Sequence, residues 1–158
     1  ANVRTTGVEG GVRLNYRDFV QLDGNVTYQD LTDRTRFDEG LPNTNFGSRV
    51  PNVPYLFGNV RLALTPSPAT ATNRVRLYAT VQSVRSFYLT WEALGDPDEK
   101  NVIPGHTTLD LEAEYEIMDG RLNLSATIRN VTDARVYDNF NIQKPGRAIH
   151  VKTRFFLE

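Results

Sequence analysis

The sequence predicts an all-β fold, an antiparallel up-and-down meander of about seven strands with the layout of a transmembrane β-barrel. Three observations support this prediction. Apolar and polar residues alternate with a period of two in almost every segment, as in strands whose two faces meet different surroundings. The connections alternate between short and long. Asp119-Gly120 joins two alternating runs, which is a strong hairpin signal.

Seven alternating runs follow one another along the chain. In each run, most of the alternate positions hold apolar residues, and polar residues lie between them. A helix would not sort these residues onto opposite faces, so no helix of consequence is expected. The runs extend from Val8 to Tyr16, Val20 to Tyr28, Leu56 to Leu64, Val75 to Trp91, Leu109 to Ile117, Leu122 to Ile128 and Ile149 to Phe155.

The connections differ in length at the two ends of the predicted sheet. Short turns at residues 17–18, 66–72 and 119–120 alternate with long connections over residues 33–54, 92–107 and 136–147. Outer-membrane barrels have short turns at one end and long loops at the other. A soluble β-sandwich seldom shows so regular an asymmetry. Such a sandwich, a ligand-binding module complete in itself, stays as the alternative, whereas a small complete barrel would need an eighth strand.

The residue types on the two faces favour lipid on one side. The apolar rows are mainly aliphatic, and aromatic residues collect near the strand ends, where membrane barrels carry girdles. These aromatic residues are Tyr16, Tyr28, Tyr55, Phe57, Phe87, Tyr88, Trp91, Tyr137, Phe140 and Phe155. The other face carries an acidic row, Asp110, Glu112, Glu114 and Glu116, which is expected to pair with Arg74 and Arg76 on one side and Arg129 on the other. On a sandwich surface the same charges would be solvated and would contribute little.

The composition excludes several functions. With 18 basic and 19 acidic residues the net charge is −1, which gives no nucleic-acid footprint. The absence of cysteine removes disulfides, thiolate metal sites and cysteine nucleophiles. His106 and His150 lack converging partners, so no metal site, cofactor or catalytic site is expected. Ser125 and His150 are the one pair that a hydrolase could use, and no acid stands in evident register with them.

The last part of the sequence carries a recognisable motif. Asn130-Val131-Thr132-Asp133 is followed by Val136-Tyr137-Asp138-Asn139-Phe140, by Gln143-Lys144-Pro145-Gly146-Arg147 and by a strand ending in Phe155-Phe156. This order closely resembles the C-terminal end of TonB-dependent outer-membrane receptors, and Gly7-Val8-Glu9 and Arg49-Val50-Pro51 resemble upstream segments of the same family. Structural roles are expected for the residues that carry the motif, which are Asn130, Asp133, Tyr137, Gly146, Arg147 and Phe156.

The resemblance implies a plugged barrel of about 22 strands in the bacterial outer membrane. Such receptors import scarce nutrients, most often ferric siderophores and otherwise vitamins or glycans. Residues 1–156 are expected to be the C-terminal barrel segment. Residues 157–158 are left out of it because Leu157-Glu158 resembles the dipeptide that a cloning site leaves before a purification tag. The implied partners are outer-membrane lipid, the plug domain, the remaining strands and, through another part of the receptor, the TonB-type energiser.

Ligand contacts are expected from the long loops. Arg49, Trp91 and Phe140 are the candidates, because aromatic residues and arginine dominate recognition surfaces. Each of the three could equally be a girdle residue or a structural residue. The isolated segment exposes two unpaired strand edges and an apolar face, so it is expected to self-associate.

Overall fold

A computed structural model describes residues 2–67, 72–95 and 101–156. Leu157 and Glu158, the predicted tag remnant, lie outside these ranges. Within them no helix is long and apolar enough to cross a membrane. The strands are β1 (Val3–Tyr16), β2 (Val20–Asp33), β3 (Phe37–Asp38), β4 (Leu41–Pro42), β5 (Leu56–Leu64), β6 (Arg74–Val84), β7 (Phe87–Tyr88), β8 (Val102–Ile103), β9 (His106–Ile117), β10 (Leu122–Arg129) and β11 (Ala148–Phe155).

The long strands form one 7-stranded sheet in the order β1-β2-β5-β6-β9-β10-β11, and every neighbouring pair is antiparallel. Each long strand therefore pairs with the long strand that precedes it in the sequence, which confirms the predicted meander. The two small hairpins, β3 with β4 and β7 with β8, lie within the long connections. A sandwich requires two large packed sheets, which the described residues do not form.

The two ends of the sheet differ as the sequence predicted. At one end, here called the turn end, tight turns join β1 to β2 and β9 to β10. Met118 and Asp119 have φ of 55° and 54°, and Gly120 has φ of 95°, a conformation that glycine adopts most readily. At the other end, here called the loop end, the connections are residues 34–55, 85–105 and 130–147.

The strand register sorts the side chains onto two faces. One apolar row crosses the sheet through Leu14, Leu22, Leu62, Ala79, Leu111, Ile128 and Ile149. A polar row on the opposite face runs through Asp23, Arg61, Thr80 and Asp110. Phe57 lies in register with Thr27 and Val84, which places it on the polar face rather than in the predicted aromatic girdle.

One predicted strand is shorter than expected. β6 ends at Val84, not at Trp91, and Phe87 in β7 pairs with Ile103 in β8. The physical reason is burial, because Phe87 is 5% exposed and Ile103 is 0% exposed, while the apolar face of the sheet stays open. Phe87 therefore belongs to a small core at the loop end, and its predicted place in the girdle is wrong.

Candidate functional site: the polar face and the loop end

The polar face of the sheet curves around an open cavity of about 880 Å³. Side chains from β5, β6, β9, β10 and β11 line it, together with residues of the β10–β11 connection. The charged or titratable groups among them are Arg61, Tyr78, His106, Asp110, Glu112, Arg129, Lys144 and His150. These polar groups cost free energy unless water or another partner forms hydrogen bonds with them. The cavity is therefore suited to a polar domain, to water or to a charged solute.

Part of the acidic row is neutralised within the sheet. The Arg76 guanidinium lies 3.4 Å from Glu114 Oε2 and 3.1 Å from Glu116 Oε2, and these side chains are about one third to one fifth exposed. Asn123 Nδ2 also donates to Glu114 Oε1 at 2.6 Å. The predicted pairing of this row with Arg76 is confirmed.

Asp110 and Arg129 behave differently from the prediction. The backbone N–H of Asn130 donates to Asp110 Oδ1 at 2.8 Å. Arg129 lines the cavity but forms no ion pair with the acidic row in the described ranges. The β9–β10 pairing ends at Ile128 and Leu111, and beyond it the Asn130 amide donates to the Asp110 side chain.

Asn130 closes the turn that follows β10. Asn130 is only 6% exposed. Oδ1 accepts from Ala134 N at 3.0 Å and Nδ2 donates to Ala134 O at 2.8 Å. The Asn130 amide thus forms with Ala134 the donor and acceptor hydrogen bonds that a paired backbone residue would form, which explains why an amide side chain suits this position.

Asp133, Gly146 and Arg147 join the start of this connection to its end. Asp133 Oδ1 accepts from Arg147 N at 2.8 Å. Gly146 lies so close to the same carboxylate that an added Cβ would clash with Oδ1. Four of the six motif residues, Asn130, Asp133, Gly146 and Arg147, therefore meet at the loop end of β10 and β11.

The other two motif residues lie apart from this group. Tyr137 forms a bridge with Gln143 inside the same connection. Phe156 follows β11 at the turn end, where its backbone N–H donates to Arg121 O at 2.8 Å. The motif thus marks both ends of the last strand rather than one site.

Arg49 is held by three groups at the loop end. Its Nε donates to Asp30 Oδ1 at 2.7 Å, and its guanidinium lies 4.6 Å from the centre of the Tyr55 ring. Its backbone N–H donates to Glu92 Oε2 at 3.2 Å. The hydrogen bond to Asp30 raises the pKa of Arg49, so the guanidinium stays charged. Neither Asp30 nor Glu92 was singled out from the sequence, because pairs so far apart along the chain leave no local signal.

Glu92 connects two of the long connections. Tyr88 Oη donates to Glu92 Oε1 at 3.1 Å, while Arg49 N–H donates to the other carboxylate oxygen. Burial raises the pKa of the Tyr88 phenol, which keeps it protonated as a donor. Asn52 N also donates to Tyr88 O at 2.8 Å. Residues 34–55 and 85–95 are therefore tied together at the loop end.

Trp91 and Phe140 lie in different environments. Trp91 is half-buried next to Glu92, in the connection that Arg49 contacts. Phe140 is 78% exposed in the β10–β11 connection, where its backbone N–H donates to Asp138 Oδ1 at 2.9 Å. The structure thus brings Arg49 and Trp91 to joined loops and places Phe140 on a third loop.

The histidines show no converging chemistry. His150 pairs in register with Thr127, and Ser125 pairs with Lys152, so Ser125 and His150 are only diagonal neighbours. No group of three His, Asp or Glu side chains able to hold a metal ion occurs in the described part of the chain. Carboxylates do lie beside this pair, because Glu114 is in register with Ser125 and Glu112 with Thr127, so the expectation that no acid stands in register with the pair is wrong.

The two-faced meander and its polar cavity define a segment of barrel wall. The family model described as TonB dependent receptor-like, beta-barrel, matches residues 1–131, and the chain belongs to that family. Members of this family are outer-membrane transport receptors. The matched range includes Asn130 but ends before the other motif residues, so their family role stays a prediction. No curated protein matches the chain.

Several solved structures share the fold. The siderophore receptor PiuA from Acinetobacter baumannii has a TM-score of 0.72 and 18% identity, over 97% of this chain and 22% of that chain. BauA, the ferric preacinetobactin receptor from Acinetobacter baumannii, has a TM-score of 0.74 and 20% identity, over 96% and 22%. The copper transporter OprC has a TM-score of 0.71 and 16% identity, over 97% and 23%. The chain spans about a fifth of the length of these proteins.

Proposed function

We propose that this chain is the C-terminal part of the barrel wall of an outer-membrane receptor that imports a ferric siderophore with energy supplied through TonB. The observation that carries the proposal is the two-faced sheet, in which apolar and polar side chains alternate residue by residue along each strand and so lie on opposite faces. An aliphatic surface of this extent is stable against lipid and costly against water. Family membership supports the same arrangement.

The proposal assigns a partner to each free surface of the sheet. Outer-membrane lipid covers the apolar face, and the plug domain occupies the polar cavity. The remaining barrel strands pair with the two edge strands, β1 and β11. The segment alone leaves all three surfaces open, so it should self-associate in water. A monodisperse, detergent-free monomer in light scattering would contradict this expectation.

The substrate class is proposed from the solved structures that share the fold. PiuA and BauA are described as siderophore receptors, and OprC as a copper transporter. The experiment is uptake by a bacterial strain that lacks the gene for the full receptor and regains it on a plasmid. TonB-dependent uptake of labelled ferric siderophore, absent without the plasmid, is expected. TonB-dependent uptake of labelled copper alone would overturn the siderophore assignment.

Phe140 is the proposed ligand contact with the clearest test. It is 78% exposed, and Ile142 in the same connection, at 63%, offers a matched apolar control. Phe140→Ala should raise the half-saturating ligand concentration roughly fivefold, as expected for an aromatic recognition residue. Ile142→Ala should leave it unchanged. Equal values for Phe140→Ala and the unmodified receptor would remove Phe140 from the site.

Arg49 and Trp91 form the second part of the proposed contact surface. The anchoring of Arg49 by Asp30 and Tyr55 leaves its side chain 32% exposed, which suits a fixed cation that meets an anionic ligand group. Arg49→Lys keeps the charge but not the planar geometry. It should weaken uptake affinity less than Arg49→Gln, whereas equal losses would indicate a purely structural role.

A further inference from the structure

A groove lies on the apolar face close to the loop end of the sheet. Its volume is about 360 Å³, and it is lined by apolar side chains that include Val26, Leu56 and Val60. Gly58 lies between them and contributes no side chain. A Cβ at Gly58 would meet the backbone oxygen of Asn25 at 2.5 Å. The close approach of β2 and β5 therefore requires glycine here, and the groove is a built part of the sheet.

Arg85 lines this groove at its loop end. Its backbone N–H donates to Leu56 O at 2.9 Å, which fixes the start of the side chain beside β5. The residue is exposed, and no carboxylate in the described ranges forms an ion pair with it. A guanidinium without an internal anion thus stands at the edge of an apolar groove.

A second cavity, of about 440 Å³, continues from the groove and shares Ser83 and Arg85 with it. Ser86 and Thr107 also line this cavity. The hydroxyl oxygens of Ser83 and Thr107 lie 2.9 Å apart. Along this part of β6 the surface changes from aliphatic to hydroxyl-rich and cationic. The same order of chemical groups, apolar chain and then anionic oxygen-rich head, occurs along a phospholipid.

We propose that the groove and the adjoining cavity bind one membrane lipid with an anionic phosphate head group. An acyl chain lies along Gly58 between Val26 and Val60, and the phosphate contacts Arg85. Guanidinium and phosphate form charge-assisted, often bidentate hydrogen bonds. Because the Ser83 and Thr107 hydroxyls are hydrogen-bonded to each other, one of the two O–H groups remains free to donate to an ester or phosphate oxygen. The proposal rests on the proposed function in one respect, namely that the apolar face meets lipid.

The experiment uses the full receptor that carries this chain, purified in a neutral detergent. Dimyristoyl phosphatidylglycerol and dimyristoyl glycerol are titrated separately, and bound lipid is counted by native mass spectrometry. Arg85→Gln should weaken phosphatidylglycerol binding about tenfold, the loss of one hydrogen-bonded contact to a charged group, and should leave dimyristoyl glycerol unaffected. Arg85→Lys should retain most of the binding. Val60→Phe should fill the groove and weaken both lipids.

Two variants serve as matched controls. Arg17→Gln removes a cation at the turn end, and Val151→Phe enlarges a side chain on β11 that is 77% exposed. Neither should change lipid binding. Unchanged phosphatidylglycerol binding in Arg85→Gln, or an equal loss in Arg17→Gln, would overturn the proposal. So would a bound protein or a second receptor copy in place of lipid.

Failure of the proposed function would give a different result. A receptor whose apolar face does not meet lipid would not float with phosphatidylcholine vesicles in a density gradient. A receptor that floats, but whose Arg85→Gln variant binds phosphatidylglycerol normally, would overturn only the lipid site.

Discussion

The apolar face of the sheet and its loop end are stabilised in different ways. On the apolar face, side chains remain largely exposed, as at Val12, 52%, and Ile149, 71%. At the loop end, Ile103 is fully buried and Asn130 is 6% exposed with its side chain hydrogen-bonded. The loop end therefore carries its own packing and hydrogen bonds. The apolar face gains stability only from the medium that covers it.

This difference separates two kinds of mutational effect. A change at the loop end should cost free energy in any surroundings, because the lost contacts lie within the chain. A change on the apolar face should cost free energy in a bilayer and little in water. All variants are made in the full receptor that carries this chain.

Removal of the small core at the loop end should have the largest effect. Ile103→Ala removes a side chain that is 0% exposed and leaves a cavity against Phe87, at a cost of about 2–5 kcal/mol. Hydrogen exchange should become faster at Leu89 and Asn52, whose amides donate across this region. Val102→Ala, at a residue 41% exposed, is the control. Equal protection in the two variants would contradict a local core.

A charge on the apolar face should have an effect that depends on the medium. Leu111→Arg places a cation in the middle of an apolar row and should lower the free energy of unfolding in vesicles by about 2–4 kcal/mol. The control is Thr127→Arg, which lies on the polar face opposite Glu112. Urea titration of both variants in vesicles checks the prediction. Similar losses for the two would contradict the assignment of the faces.

The Asn130 turn should contribute less than either. Asn130→Ala leaves the backbone groups of Ala134 without partners and should cost about 1–3 kcal/mol in detergent and in vesicles alike. Asn141→Ala is the matched control, because Asn141 also has positive φ, 61°, but is exposed. If both alanine variants lower the unfolding midpoint equally, backbone strain rather than the side-chain bonds explains the loss.

The half-buried ion pairs on the polar face should contribute least. Arg76→Gln removes the contacts to Glu114 and Glu116 and should cost about 1 kcal/mol or less, with a smaller loss at high salt. A double-mutant cycle with Glu116→Gln isolates the pairwise energy. A coupling energy that does not change between low and high salt would show that the plug or another partner shields this pair from water.

The sequence was sufficient for the sheet but not for the loop end. A period of two is a local signal, so the strands, their faces and the turn at Gly120 could be predicted. The pairing of Phe87 with Ile103 joins residues that no local pattern relates, and β6 was therefore predicted too long. Burial of an apolar pair at the loop end outweighed the continued alternation.

In the candidate site, too, the sequence predicted some contacts and not others. The pairing of Arg76 with the acidic row follows from neighbouring strands of known faces, and the sequence predicted it. The contact of Asp110 with the Asn130 amide depends on where the β9–β10 pairing ends, which residue type alone did not indicate. Resemblance identified Gly146, but the physical reason for glycine is the Asp133 carboxylate across the connection.

In the proposed receptor, one face of the sheet meets lipid and the other meets a polar interior. This chain contains no cysteine; with any cysteine elsewhere in the full receptor replaced by serine, single cysteines are introduced along β9 at residues 109–116 and spin-labelled in vesicles. Collision with oxygen, which concentrates in lipid, should be highest at positions 109, 111, 113 and 115. Collision with a water-soluble nickel chelate should be highest at 110, 112, 114 and 116. The same accessibility at odd and even positions, or the reverse alternation, would contradict the account.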